Sequence, residues 1–175
     1  MEREKQKMKG TDISFLIENI KFNFRVSCVI VSPMDKKILL HKKKGDSFWN
    51  LPGGRTAIGE SSMEAVKREI REEIGCECEL KQLVTVSENF FTLNGIKYHE
   101  LLMIFSGELE NEIDEDKLEE DIEIKWISSE ELDHMDIRPE CTKSIMRQVC
   151  ENADSIQPIG WIVNQEEHTS QRKIL

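Results

Sequence analysis

The chain has 175 residues, 38% of them hydrophobic and 33% charged, a balance that fits one globular domain with a solvated surface and argues against a disordered chain. Its formal net charge of -10 at pH 7 repels polyanions, so no long nucleic acid is expected as a partner. A small phosphorylated substrate is compatible with this charge, because a divalent cation inverts the field of an acidic pocket.

The five cysteines predict reduced thiols and a cytoplasmic location. They are odd in number, have no C-x-x-C spacing and follow no apolar secretory segment. No run approaches the roughly 18 apolar residues that cross a bilayer, so no membrane is expected as a partner.

The first half of the chain predicts two strands, a shaped loop and a helix. Apolar runs at 25–33 and 38–40 predict the strands, and four glycines with one proline at 45–59 predict the loop. Ser61 and Glu64 form a capping-box pattern, and Gly75 supplies a left-handed stop. An apolar stripe at helical spacing lies between them, so the helix is predicted over about 62–74.

The second half predicts strands joined by a hairpin, then further short elements. Strands are expected at 79–88 and 96–105, with Asn94-Gly95 as a hairpin turn between them. An acidic loop at 111–121, a strand at 122–127, a short helix after Ser128 and a longer helix at 140–150 follow. Unevenly alternating helices and strands with one antiparallel pair favour an α/β fold with a mixed sheet.

Three glutamates gather on one side of the predicted helix. Glu69, Glu72 and Glu73 stand at i, i+3 and i+4, with two arginines interleaved. Taken alone, this pattern has about two chances in three of being a solvated helix face.

The surroundings of these glutamates change that weighting. Gly54, five residues, Glu60, seven residues and then REIREEIGC over 68–76 resemble the Nudix box, G-x5-E-x7-R-E-U-x-E-E-x-G-U, where U is apolar. The chain matches every fixed polar or glycine position, and Cys76 fills the final apolar site as a small hydrophobe. The resemblance is to the MutT-like Nudix hydrolases, and it extends over roughly 26–126.

The resemblance implies a Nudix fold, in which a mixed β-sheet is sandwiched between α-helices (an α/β/α sandwich). It implies a Nudix hydrolase domain at 25–153, preceded by an N-terminal extension at 1–24. The C-terminal segment at 154–175 contains apolar residues, so part of it is expected to dock on the domain.

The resemblance also implies a magnesium site, with manganese as the substitute ion. Its expected ligands are the carboxylates of Glu69, Glu72 and Glu73 and the carbonyl oxygen of Gly53. Arg68 is expected to orient Glu69, and Glu60 to support the site. Hard oxygen donors are the ligands that magnesium prefers.

A further acid is expected from the loop before the strand at 122–127. Glu120, six residues before Trp126, is the best match and could bind metal or accept a proton from the attacking water. Glu119 is the alternative, and a merely solvated loop acid is an equally good explanation for either residue.

Four aromatic residues are candidates for substrate binding. Trp49, Phe90 and Phe91 could stack a base, and Tyr98 could line the same cleft. Core packing is the favoured alternative for each single one except Trp49.

The implied function is metal-dependent hydrolysis of the phosphoanhydride (diphosphate) bond of a nucleoside diphosphate-linked compound. No proline lies about fifteen residues after the box, where ADP-ribose enzymes usually have one, so a nucleoside triphosphate or its oxidised form is the expected substrate. The alternatives are a nucleotide-sugar pyrophosphatase and a non-catalytic Nudix-like nucleotide-binding module. The expected partner is a small nucleotide-like substrate, with a homodimer as a further expectation.

Overall fold

The structure is a computed structural model that describes residues 10–152 and 160–170. Its strands are β1 (Ser14–Ile17), β2 (Ile20–Ile30), β3 (Ile38–Lys43), β4 (Gly53–Arg55), β5 (Cys78–Leu93), β6 (Ile96–Leu109), β7 (Ile122–Ile127) and β8 (Trp161–Ser170). Its helices are α1 (Ser62–Ile74) and α2 (Thr142–Glu151), with 3-10 turns at Glu115–Lys117 and Ser129–His134.

The main sheet has six strands of mixed direction. Its order is β1-β2-β6-β5-β8, and β4 pairs with β2 beyond the end of β1. The β2/β6 and β5/β8 pairs are parallel, whereas the β1/β2, β2/β4 and β5/β6 pairs are antiparallel. Strands β3 and β7 form a separate antiparallel pair.

Strand β2 separates two apolar cores, because successive side chains of a strand point to opposite faces. Val26, Cys28 and Ile30 pack with the apolar face of α1. Val29 packs in the other core, with Ile145 of α2. The two helices therefore cover opposite faces of the sheet, and the predicted mixed sheet between helices is confirmed.

Helix α1 has the predicted bounds and the predicted caps. The Ser61 hydroxyl accepts a hydrogen bond from the Glu64 N–H at 3.3 Å, and the Glu64 carboxylate accepts one from the Ser61 N–H at 2.9 Å. Gly75 ends the helix at φ 74°, a conformation that costs glycine nothing. The caps thus fix the position at which the glutamates of the box leave the helix.

The hairpin between β5 and β6 turns at Asn94-Gly95, as predicted, and both residues have positive φ. The two strands are longer than expected at both ends of the pair. None of the helices in the described part of the chain has the length and apolar character needed to span a bilayer.

The sheet also takes in residues at the two ends of the chain. Strand β1 and the first residues of β2 lie within the segment assigned to the N-terminal extension, of which residues 1–9 are outside the described residues. Strand β8 lies within the segment expected to dock and pairs with β5, whereas 154–159 and 171–175 are outside the described residues. Strand β2 starts at Ile20 because its alternation of apolar and polar residues continues ahead of the buried run.

Candidate active site

Two glycines bring the loop before α1 close to the helix. A Cβ atom on Gly54 would lie 2.3–2.6 Å from the carboxylate atoms of Glu69. A Cβ atom on Gly53 would lie 2.2 Å from the carbonyl oxygen of Val26, and Gly53 has φ 144°. Only residues without a side chain allow the backbone of β4 to touch both the helix carboxylate and strand β2.

Arg68 holds three of the acidic side chains in place. Its Nε and Nη2 donate to the two carboxylate oxygens of Glu60 at 2.7 and 2.9 Å, and Nη2 also donates to the Arg55 carbonyl at 3.0 Å. Its Nη1 donates to Glu69 at 2.7 Å and to Glu72 at 3.2 Å. Charge-assisted contacts of this kind fix carboxylate rotamers, so the structure brings Arg68 and Glu69 together as the resemblance implied.

Glu73 is the buried acid of the site. The Gly53 N–H donates to Glu73 Oε2 at 3.1 Å, and His41 Nδ1 lies 3.2 Å from the same oxygen, outside hydrogen-bonding geometry. Burial raises the pKa of Glu73 to about 8 and lowers the pKa of His41 to about 4. At pH 7 both side chains are therefore mainly neutral.

Two opposing effects act on the pKa of Glu69. Partial burial raises the pKa of its carboxyl, and the hydrogen bond from Arg68 opposes that rise. Its side chain thus remains a good acceptor in a region with little water.

The donor set of the site has the chemistry of a magnesium site. Glu69, Glu72 and Glu73 offer carboxylate oxygens, the hard donors that magnesium and manganese take. No three acidic, histidine or cysteine side chains in the described part of the chain are gathered tightly enough to hold an ion as they stand. Arg68 donates to one oxygen of Glu69 and one oxygen of Glu72, so a bound cation would contact the second oxygen of each of these carboxylates.

A cavity of about 200 Å³ opens beside Glu73 and Gly53. At its other end stand Phe91 and Tyr98, whose rings stack in parallel with centroids 4.8 Å apart. Its wall also carries basic and polar side chains: Asn23, Arg25, His41, Lys43, Asn50, Arg55, Glu100 and Arg138. The cavity therefore connects one box acid, Glu73, with an aromatic wall, and three arginines and one lysine lie along it.

Two of the four aromatic candidates do not line this cavity. Phe90 points to the opposite face of β5, where it stacks on His99 with centroids 4.5 Å apart, because neighbouring strand residues alternate between faces. Trp49 packs against the core beneath α2, and Lys42 Nζ lies 5.0 Å from its ring centroid. Phe91 and Tyr98 are the two candidates that lie at the cavity, and Trp49 and Phe90 lie outside its lining.

The acidic loop approaches the site through Glu119 rather than Glu120. The Glu119 N–H donates to the backbone carbonyl of Glu73 at 3.2 Å, and the charge of Glu119 helps to raise the pKa of Glu73. The backbone carbonyl of Glu120 accepts a hydrogen bond from Lys44 Nζ at 2.7 Å, and Glu119 and Glu120 are both exposed.

Most of the cavity wall on β2 was not predicted from the sequence. Asn23 and Arg25 alternate with the apolar residues Phe24 and Val26, so polar residues at every second position of a buried strand were the available signal. His41 carries no comparable signal, because its neighbours Leu39 and Leu40 suggest only a buried strand.

Known proteins resemble this chain in sequence and in fold. The family model described as the NUDIX domain matches residues 21–149. A human 8-oxo-dGDP phosphatase is 38% identical over 65 residues, which are 36% of this chain and 20% of that protein. A Bacillus subtilis protein with the provisional name 8-oxo-dGTP diphosphatase is 47% identical over 58 residues, which are 33% of this chain and 39% of that protein. The chain thus matches well under half the length of these curated relatives.

Among solved structures, the MutT protein from Bacillus halodurans superimposes with a TM-score of 0.63 at 23% identity, over 83% of this chain and 92% of that chain. This likeness concerns the fold. Since the family model matches most of the chain, this protein belongs to the Nudix family.

Proposed function

We propose that the protein hydrolyses the phosphoanhydride bond of a nucleoside triphosphate or diphosphate, including forms with an oxidised base. The observation that carries the proposal is the arrangement of the cavity, which has Glu73 of the box and Gly53 at one end and an aromatic pair at the other. A nucleotide has the matching asymmetry, with a charged diphosphate at one end and a planar base at the other.

A divalent cation is part of the proposal. When bound, it would neutralise phosphate charge next to Glu69, Glu72 and Glu73. Arg68 would hold the carboxylates in position, and Gly54 would keep β4 against the carboxylate of Glu69. Arg25, Arg55 and Lys43 supply positive charge along the path between the two ends.

The relatives support the choice of substrate class. Two of them carry names that refer to 8-oxo-dGDP and 8-oxo-dGTP. The retention of every box glutamate favours an enzyme over a non-catalytic binding module. All five cysteines are free thiols, which supports the expected reducing, cytoplasmic setting.

The test is hydrolysis of dGTP, 8-oxo-dGTP and the matching diphosphates with magnesium, with separate detection of phosphate and pyrophosphate. Turnover should stop in excess chelator and return on addition of magnesium or manganese. Binding of these nucleotides without any turnover in either metal would replace the proposal with the binding module.

A further inference from the structure

A row of polar side chains crosses the cavity face of the sheet. Its members are aligned by register across five neighbouring strands: Ser14, Asn23, Glu100, Asn89 and Asn164. Asn23, Glu100 and Asn89 are buried, with exposures of 3%, 4% and 0%. Buried polar groups cost stability relative to apolar ones, so a row of them in a sheet interior needs a reason.

Hydrogen bonds fix the direction in which these groups point. The Ser87 hydroxyl donates to Asn89 Oδ1 at 3.0 Å, which leaves the Asn89 amide nitrogen to donate to Glu100 Oε1 at 3.2 Å. The Ser14 hydroxyl donates to Asn23 Oδ1 at 2.7 Å, which leaves the Asn23 amide nitrogen as a donor. The row therefore presents a carboxylate acceptor with an amide donor beside it.

Asn23, Glu100 and Arg25 all line the cavity, on the same face as the aromatic pair. Arg25 Nη1 lies 3.6 Å from Glu100 Oε2, and Arg25 Nε is buried without a hydrogen-bond partner. The carboxylate keeps accepting capacity on Oε2, because its partner there among the described residues is Arg25, at an ion-pair distance longer than a hydrogen bond.

We infer that this row selects guanine, with Glu100 accepting the N1–H and N2–H donors of the base and Asn23 or Arg25 donating to its O6. The inference rests on the proposed function for the identity of the ligand as a nucleotide. Guanine is the standard base with two adjacent N–H donors next to a carbonyl oxygen, which is the complement of this row. Adenine places an acceptor, N1, where the carboxylate would need a donor.

The experiment measures binding of dGMP, dIMP and dAMP to the full chain by calorimetry, so that it does not depend on turnover. Hypoxanthine lacks only the N2 amino group, so dIMP should bind about tenfold or more weakly than dGMP, and dAMP more weakly still. Failure of the proposed function would appear as absent hydrolysis with this binding preference intact.

Two matched variants test the role of Glu100. Glu100→Gln should reduce the preference for dGMP to within a few fold, whereas Glu88→Gln should preserve it, because Glu88 pairs with His99 on the opposite face of β5. Equal affinity for the three monophosphates, or no binding at millimolar concentration, would overturn the inference without any variant. A preference for dGMP that survives in folded Glu100→Gln would overturn it as well.

Binding of the oxidised nucleotide 8-oxo-dGMP is a separate measurement. 8-Oxo-dGMP keeps N1–H, N2–H and O6, so Glu100→Gln should weaken it by the same factor as dGMP. Tight binding of 8-oxo-dGMP that is insensitive to Glu100→Gln would assign recognition to other residues.

Discussion

At the scale of single residues, Glu73 has the most unusual environment of the box acids. Its pKa of about 8 lies above the value of about 4.5 for a solvated glutamate, so the folded state holds a proton that the unfolded state releases between these two pH values. The free energy of unfolding therefore falls as the pH rises from about 4.5 to about 8, and this loss is constant above about pH 8.

The variant Glu73→Gln should remove this penalty while keeping an oxygen that can accept the Gly53 N–H. In chelator, the variant should equal the natural protein in unfolding free energy near pH 4 and exceed it by a few kcal/mol near pH 8.5. Urea unfolding at the two pH values measures the difference. His41 shifts stability in the opposite direction below pH 6.5 in both proteins, so it largely cancels. An equal difference at both pH values would show that folding does not shift the pKa of Glu73.

The identity of the general base is a second question at this scale. Because the backbone of Glu119 contacts Glu73 and the charge of Glu119 acts on the Glu73 carboxyl, Glu119→Gln should lower kcat by about a hundredfold or more, and Glu120→Gln by less than about tenfold. Steady-state kinetics of both variants in saturating magnesium decides between them. The reverse order would restore the role first expected for Glu120, and no effect in either variant would move the base into the box, to Glu69.

At the scale of elements, the two glycines of β4 should differ in what their substitution changes: Gly54 should affect activity, and Gly53 should affect stability. In Gly54→Ala the new Cβ meets only the carboxylate end of a flexible side chain, so Glu69 can move away. We expect little change in melting temperature and a large loss of kcat, since the displaced carboxylate is a predicted ligand.

Its neighbour gives the matched comparison. In Gly53→Ala the new Cβ meets backbone atoms of β2 at a φ that side chains rarely adopt, so the protein should lose about 2 kcal/mol or more of stability. Thermal unfolding and kcat measured on both variants test the pair. Equal destabilisation in the two would contradict the packing described for Gly54.

Elements defined by local signals were predictable, and elements defined by distant pairing were not. Helix α1 matched to the residue because Ser61 and Gly75 mark its ends within the sequence. Strand β1 was not predicted because its four residues are too few to show a clear alternation of apolar and polar residues. It is a strand because it pairs with β2. The box acids could be found by spacing, whereas Arg25 and Glu100 meet only because β2 and β6 pair in parallel.

At the scale of the whole molecule, cation binding should be coupled to proton release. Glu73 is mainly protonated without an ion, so it must ionise to become a ligand. Magnesium should therefore raise the melting temperature more at pH 8.5 than at pH 6.5, and Glu73→Gln should weaken this pH dependence. Thermal scans at the two pH values, with and without about 10 mM magnesium, measure this difference in melting temperature. A shift that is equal at both pH values would place Glu73 outside the ion site.

The helix and the sheet supply different parts of the candidate site, and this arrangement has an evolutionary consequence. The acids that would act on the diphosphate lie on one helix, whereas the side chains that would face the base belong to β2, β5 and β6. Mutations in those strands can alter which base fits while the reactive end keeps its geometry. Gene duplicates of such a protein can therefore diverge towards different nucleotides one strand residue at a time, with each intermediate still able to cut a diphosphate.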